Sequence, residues 1–182
     1  MGTYADHLER VCTEYQIPVF MDYKKSILLN AFVEYVRSVL SMVEQDFSYE
    51  SVFRFLRTGF TEFTRDEIDR LENYVVAVGL RGYKKWQAVW ARKTSSADEE
   101  ELAVLNGLRV RFVEMTESLV FVLKQRKKTV RDICEAVYRF FVENQIQEKL
   151  KVMENCFAEK KELALAKEYA QIYRIVLELF DK

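Results

Sequence analysis

The chain has 182 residues, with 28 lysines and arginines against 29 aspartates and glutamates, so its formal net charge is −1. This balance excludes the overall positive charge with which dedicated DNA-binding modules attract nucleic acid, and any DNA contact has to come from a local patch. One proline and five glycines leave few turn-forming residues. We therefore predict an all-α fold, an irregular bundle of about six to eight helices.

The first predicted element is a helix over residues 4–15, where apolar residues recur at helical spacing. Pro18 ends this helix, because proline disfavours a helical residue before it and cannot continue the backbone hydrogen bonding. Residues 19–21 (VFM) then form the only strand candidate, so at most one short isolated strand is expected near the N-terminus.

Two further helices follow before residue 60. Either Ser26 or Asn30 caps the first, which runs to about Gln45. Ser48 caps the second, in which the apolar residues recur at steps of three and four while charged residues occupy the other face. That apolar face consists of Val52, Phe53, Leu56 and Phe60.

The next helix is predicted from its two ends. Thr64 is followed three residues later by Glu67, the capping-box pattern in which both side chains satisfy unpaired backbone donors. Gly79 and Gly82 end the helix, since glycine accepts positive backbone torsions without a side-chain clash. A short basic and aromatic turn, residues 81–86, follows.

The C-terminal half is predicted to be helical after a polar loop over residues 91–101. Ser96 and Glu99 form a second capping-box pattern, which begins a long helix to about Arg126. Thr129 and Asp132 begin the next helix, predicted over residues 130–143. The last two helices are predicted over residues 146–159 and 163–180.

Two basic segments are the candidate binding features. Arg81, Lys84 and Lys85 alternate with Tyr83 and Trp86, a mixture of cations and stackable rings that suits phosphate backbones and unpaired bases. We therefore take Arg81, Lys84, Lys85 and Trp86 as candidate contacts with DNA or with a partner protein. The alternative interpretation is that the rings fold back on the core and only the cations face solvent. Residues 126–128 (RKK) have a simpler alternative, compensation of charge at a helix end.

No constellation in the sequence predicts catalysis or a cofactor. The chain lacks GxxxxGK[ST], the loop that holds nucleotide phosphates, and its single histidine, His7, has no partner residue nearby in sequence. Asp66, Glu67 and Asp69 lie in the first turns of a helix, where carboxylates stabilise the helix dipole. We predict no catalytic residue, no metal site and no cofactor.

The cysteines and the hydropathy pattern predict a cytoplasmic chain that does not enter a membrane. Cys12, Cys134 and Cys156 are odd in number and widely spaced, which fits neither a disulfide framework nor a zinc site. No apolar run approaches the roughly 20 residues that cross a bilayer.

Two stretches occur in an order that resembles a known family. The first reads YADHLERVCTEYQIPVFMDYKKSILLNAFVEYVRSVL, and the second reads VFRFLRTGF, then a polar cap, then DEIDRLENYVVAVGLRGYKKW. Together they resemble the B subunit of the bacterial ATP-dependent helicase-nuclease AddAB (RexAB), and the chain looks like an internal fragment of such an AddB/RexB-type subunit. The resemblance covers most of the chain.

The resemblance implies a division of the chain and a function. Residues 1–45 would be a remnant of the second RecA-like motor-type domain, and residues 46–182 would be a helical accessory subdomain. The parent would act with the A subunit on DNA, in double-strand break processing and recombinational repair, and this part of it would be non-catalytic. The family's nuclease centre and iron-sulfur cysteines have no counterpart here.

Two alternatives to this interpretation remain open. The chain could be a free-standing helical protein-interaction module with no nucleic-acid role. Aromatic residues near both ends also favour homodimerisation of the isolated chain, because an interface with a larger parent would be left in water. The candidates for such an interface are Phe20, Tyr23, Tyr169, Tyr173 and Phe180.

Overall fold

The computed structural model describes residues 2–19, 26–95 and 97–180, and these residues form helices joined by short loops. They contain nine α-helices, one 3-10 turn at Ile27–Leu29 and a single isolated β-bridge between Thr94 and Ala97, with no strand. The all-α prediction is confirmed. The helices are α1 (Gly2–Glu14), α2 (Ala31–Glu44), α3 (Tyr49–Leu56), α4 (Arg65–Val78), α5 (Tyr83–Gln87), α6 (Glu99–Leu123), α7 (Val130–Glu143), α8 (Ile146–Glu159) and α9 (Leu163–Phe180).

Both cap candidates before α2 are used, each by a different element. The Ser26 hydroxyl accepts a hydrogen bond from the Leu28 N–H and begins the 3-10 turn. The Asn30 side chain accepts one from the Phe32 N–H at 2.9 Å and begins α2. Of the predicted strand over 19–21, Val19 is exposed and has no regular structure, and the other two residues lie outside the described part of the chain.

Three predicted helix starts are confirmed by their hydrogen bonds. Ser48 caps α3, and Thr64 and Thr129 each form a complete capping box, with Glu67 and Asp132 as the reciprocal partners. The satisfied N–H groups are those that a helix leaves unpaired in its first turn. At the other end of α4, Gly79 has φ 63° and the left-handed conformation expected of a glycine helix end.

The structure corrects the prediction in three places. Helix α6 is capped by Asp98, whose carboxylate accepts from the Glu101 N–H at 2.9 Å, so Glu99 is its first residue. Ser96, the predicted cap, lies outside the described residues. It ends at Leu123, before Arg126. The segment after Gly82, predicted as a turn, is the five-residue helix α5. This extra short helix is one reason why the described residues contain nine helices instead of six to eight.

One continuous core joins α2 to the helices that follow it. The Phe32 ring lies 5.8 Å from Phe60, 5.3 Å from Phe141 and 6.0 Å from Tyr173, and therefore connects α2 with α7 and α9. Tyr35 of α2 is fully buried in the same core. The division of the chain at residue 45 stays a prediction, and it falls inside this packed unit.

The aromatic residues near the two ends differ in environment. Tyr169, Tyr173 and Phe180 pack partly buried against the core, so they do not form the exposed C-terminal patch that the sequence suggested. Phe20 and Tyr23 lie outside the described residues.

Helix α1 instead carries an exposed apolar face. Tyr4, Leu8 and Val11 of this helix and Tyr15 directly after it follow one another at helical steps, and all four are exposed. None of the helices in the described ranges is long and apolar enough to span a membrane.

Candidate functional site

The basic and aromatic segment of residues 81–90 is anchored on α6 by its rings. Trp86 is 1% exposed, and its ring lies 4.6 Å from Phe112 and 5.2 Å from Trp90. Trp90 in turn stacks on Tyr74 of α4 at 5.0 Å. Burying such large rings supplies most of the attraction that holds this segment in position.

Helix α5 is too short to be stable alone, and its C-terminal end is held by partners outside it. Each of its last four carbonyl groups, which a helix leaves unpaired, accepts a hydrogen bond. The Ala88 N–H donates to Lys84 at 3.2 Å, and the Trp90 Nε1–H donates to Lys85 at 3.0 Å. The remaining two carbonyls, those of Trp86 and Gln87, accept from the side chain of Arg109.

Arg109 of α6 is the side chain that fixes α5. It is 6% exposed, and its Nη1 donates to the carbonyls of Trp86 at 2.9 Å and Gln87 at 3.1 Å. Its Nε donates to Asn106 Oδ1 at 3.0 Å. All three acceptors are uncharged oxygens, so the planar guanidinium acts as a geometric clamp on the helix end.

With the rings inside, the cations of the segment face water. Arg81, Lys84 and Lys85 are exposed and form no side-chain hydrogen bond or ion pair with any residue that the structure describes. Trp86 was predicted as a fourth contact residue, but its ring is buried by the packing on Phe112, so it cannot stack on a ligand in this conformation. A contact role for the three cations stays a prediction.

The N-terminal end of α5 meets a tight turn that follows α2. Asp46 and Phe47 both have positive φ, 45° and 56°, a conformation that non-glycine residues adopt only where the surroundings stabilise it. Phe47 is fully buried, 4.7 Å from the Tyr83 ring, and this burial holds the turn. A Cβ at Gly82 would lie 3.2 Å from Asp46 Oδ2, so glycine permits the close approach.

Asp46 links this turn to the far end of α6. Its Oδ1 accepts a hydrogen bond from Lys124 Nζ at 2.5 Å and a long one from the Tyr83 N–H at 3.5 Å. Lys124 Nζ also lies 5.0 Å above the Tyr83 ring. The hydrogen bond from Lys124, helped by the Tyr83 N–H and the charge of Lys84, holds the pKa of the Asp46 carboxyl below its ordinary value.

The second basic segment lies in the loop that follows α6. Arg126, Lys127 and Lys128 are exposed, and Lys128 Nζ donates to the Gln125 carbonyl at 3.0 Å. Because α6 ends at Leu123, these cations lie beyond its last turn. Lys128 stabilises the loop after the helix, and compensation of charge at the helix end stays an alternative interpretation of this segment.

The other residues considered in the sequence analysis are two carboxylates of α4 that hold neighbouring groups in place, and His7. Glu67 completes its capping box and also pairs with Arg111 at 2.7 Å, and Asp69 pairs with Arg57 at 2.9 Å. His7 is exposed on α1.

The cysteines and the acidic residues show no metal-binding arrangement. Cys12 and Cys134 are half-buried and Cys156 is exposed, and all three are free thiols. Within the described residues, no three histidine, cysteine, aspartate or glutamate side chains are grouped so that they could hold a metal ion.

Sequence reasoning missed Asp46, Lys124 and Arg109. Asp46 and Lys124 are 78 positions apart, and no local pattern pairs them. The sequence did contain one signal for Arg109, a charged residue within the apolar run of α6, because a charge on a buried face needs partners.

Comparison with known proteins gives one consistent result. The chain is 40% identical, over its whole length, to the B subunit of the ATP-dependent helicase/deoxyribonuclease of Lachnoclostridium phytofermentans. It is 36% identical to the protein of that name from Clostridium novyi over 98% of the chain, and 35% identical to that of Clostridium acetobutylicum over its whole length. No family model matches the chain.

These relatives are much longer than the chain. It spans 16%, 15% and 17% of the three proteins named. The predicted resemblance to the B subunit of this helicase-nuclease is confirmed over the length of the chain.

Proposed function

We propose that this chain, homologous over its whole length to the B subunit of the ATP-dependent helicase/deoxyribonucleases, forms a non-catalytic helical part of such a protein. The parent protein would be a cytoplasmic hydrolase that works with an A subunit on DNA and processes double-strand breaks for recombinational repair. The observation that carries the proposal is the similarity of the whole chain to proteins of this one name. That similarity does not favour the alternative of a free-standing interaction module.

A structural role is supported by what the acidic side chains do. Glu34 pairs with Arg54 and joins α2 to α3, while Glu101 accepts from Arg70 Nε at 2.9 Å and joins α6 to α4. A general acid, a general base or a metal ligand needs a carboxylate directed at a ligand, and these carboxylates are directed at arginines of neighbouring helices. The helices would therefore act as a rigid support for catalytic parts of the parent.

The division of the parent also belongs to this proposal. Residues 1–45 would derive from the second RecA-like motor-type domain and residues 46–182 from the helical accessory subdomain. Because α2 shares its core with α3, α7 and α9, the two parts would move together, and motion of the motor domain would be transmitted directly to the accessory helices.

Association with other copies or with the A subunit would use apolar surface that water now covers. The exposed apolar face formed by Tyr4, Leu8 and Val11 of α1 and by Tyr15 directly after it is the best candidate in the described residues for such a contact. We propose that the isolated chain homodimerises through this face. Sedimentation of the wild-type chain and of Leu8→Lys tests this, and a monomeric wild-type chain at high concentration would contradict it.

Direct contact with DNA would come from Arg81, Lys84 and Lys85. Lys84 and Lys85 extend into water from α5, whose position is determined by Trp86 and Arg109, and Arg81 is exposed two residues before this helix. Cations that are exposed and unpaired are free to replace the counterions of a phosphate backbone, and this release gives affinity that depends on salt. The proposed contact is therefore electrostatic and does not read sequence.

The test is fluorescence anisotropy with labelled forked and duplex DNA, with the wild-type chain and the variant R81A/K84A/K85A. Loss of three phosphate contacts should weaken binding by about tenfold or more. It should also reduce the steepness of the plot of log K against log salt concentration by about 3. The matched control is R65A/K160A/K167A, which removes one arginine and two lysines that are exposed and form no ion pair with any residue that the structure describes.

Two further arms separate contact from folding. Trp86→Phe keeps a ring in the core and should leave DNA affinity unchanged, because the tryptophan is buried. If the wild-type chain binds no DNA at about 50 mM salt, the proposed contact is wrong and the chain is a scaffold alone.

A further inference from the structure

We propose that the loop after α6 adds a second row of cations to the DNA-binding surface, and that Asp46 joins the two rows into one face that binds the backbone of duplex DNA. The first row is Arg81, Lys84 and Lys85; the second row is Arg126, Lys127 and Lys128. This inference rests on the proposed DNA contact and extends it to a loop much further along the chain.

A continuous set of contacts connects the rows. The Tyr83 N–H, between Arg81 and Lys84 in sequence, approaches Asp46 Oδ1 at 3.5 Å, and the same oxygen accepts from Lys124 Nζ at 2.5 Å. Lys124 is the C-terminal cap residue of α6 and directly precedes the loop. The start of α5 and the end of α6 therefore meet at one carboxylate.

The second row stays close to this meeting point. The bond from Lys128 Nζ to the Gln125 carbonyl, 3.0 Å long, folds the loop back on the end of α6. Arg126 and Lys127 lie between these two residues, are exposed, and form no ion pair with any residue in the described ranges. The loop therefore presents two exposed cations directly after the end of α6, which Lys124 and Asp46 link to the start of α5.

Asp46 has a positioning role in this face. Its charge is matched by the ammonium of Lys124, which also lies 5.0 Å above the Tyr83 ring and 5.9 Å above the Phe47 ring. Lys124 is therefore the ion-pair partner of this carboxylate, whose charge also acts on Lys84 of the first row. The turn that carries it is held by Phe47, which is completely buried.

The orientation of the rings identifies duplex DNA as the form that fits. Sites for single strands combine cations with exposed aromatic rings on which bases stack. Here Tyr83, Trp86 and Trp90 are 8%, 1% and 6% exposed, so the face offers charge without stacking surface. A regular backbone with closely spaced phosphates satisfies two rows of cations better than a flexible strand does.

The experiment compares R126A/K127A with R81A/K84A/K85A and with the combination of all five changes, by anisotropy on a labelled duplex and on a single strand of equal length. The matched control for the second row is K160A/K167A. We expect R126A/K127A to weaken duplex binding severalfold and to reduce the steepness of the plot of log K against log salt concentration by about 2. R126K/K127R, which keeps both charges, should bind as the wild type does.

The outcomes separate this inference from the proposed function. If R81A/K84A/K85A loses affinity while R126A/K127A matches its control, the second row is wrong and the first contact stands. If the single strand binds more tightly than the duplex, the assignment to duplex DNA is wrong. If the wild-type chain binds neither, both proposals fail, and an acidic protein surface becomes the ligand to test. Equal thermal unfolding of all variants, followed by circular dichroism, excludes loss of fold as the cause.

Discussion

At the residue scale, the geometry of the turn after α2 explains how Asp46 comes to contact both the start of α5 and the end of α6. Asp46 and Phe47 occupy the left-handed region in succession, which costs conformational free energy at each position. Burial of the Phe47 ring between Tyr83 and Phe112 offsets that cost. The carboxylate is thereby held at the start of α5, where it binds Lys124 and the Tyr83 N–H.

Asp46→Asn should lower the melting temperature at neutral pH and have little effect in acid. The folded-state pKa of Asp46 is depressed below 3.8, mainly by the hydrogen bond from Lys124. The stabilisation is therefore fully present above that ordinary value and is lost as the pH falls through the folded-state pKa. Calorimetry of both proteins across the acid range checks this. A difference in melting temperature that persists at the lowest pH would mean that the ion pair is not its source.

Arg109 is predicted to be a positioning residue, because it donates to two carbonyls of α5 and to the side chain of Asn106 in its own helix. Arg109→Ala should cost about 3 kcal/mol in the free energy of unfolding, since it leaves buried carbonyls unpaired. Arg109→Lys should cost about 2 kcal/mol, because a single ammonium cannot replace both the Nη1 donation to the two carbonyls and the Nε donation to Asn106. Urea unfolding measures both.

A second readout separates this clamp from general stability. Under conditions where Arg109→Lys is still folded, DNA affinity should fall, because Lys84 and Lys85 lose their fixed position. Full affinity in a folded Arg109→Lys variant would show that α5 keeps its position without the clamp.

At the scale of elements, the caps determine where helices begin. The Thr64 hydroxyl accepts from the Glu67 N–H at 3.2 Å, and the Glu67 carboxylate accepts from the Thr64 N–H at 2.8 Å. Thr64→Ala should lower the free energy of unfolding by about 1 kcal/mol, whereas Thr64→Ser should have a much smaller effect. Chemical denaturation distinguishes them, and equal loss in both variants would indicate that the threonine methyl group matters instead of the cap.

Prediction from sequence succeeded where local chemistry decides and failed where distant contacts decide. The bounds predicted for α7, α8 and α9 agree with the structure, because apolar periodicity marks all three and a complete capping box also begins α7. Helix α5 was predicted only as a turn, since its last carbonyls depend on Trp90 and Arg109. The basic residues of the first row were recognised, but the contact between Asp46 and Lys124 has no local signal.

At the scale of the whole molecule, the core makes α2 and the later helices one unit. The Phe32 ring of α2 contacts three aromatic rings: Phe60 before α4, Phe141 of α7 and Tyr173 of α9. A residue from the predicted motor-type part of the chain thus lies fully buried among residues of the predicted accessory part. In such a core, removing one large side chain weakens contacts between several helices at once.

Phe32→Ala should therefore destabilise the whole unit formed by α2 to α9 by about 3–5 kcal/mol, the usual cost of a phenylalanine cavity. Unfolding should remain a single transition, with the same midpoint by tryptophan fluorescence, which reports Trp86 and Trp90, and by far-ultraviolet circular dichroism, which reports all helices. The matched control is Phe121→Ala, because Phe121 is 69% exposed and its loss should cost little. Two separate transitions, with the tryptophan signal unchanged in the first, would mean that the chain divides near residue 45 into units that fold independently. A single transition would instead mean that the core has no hinge near residue 45, because it unfolds as one unit. It would support the proposal that motion of the motor-type part moves the cationic rows as a rigid body.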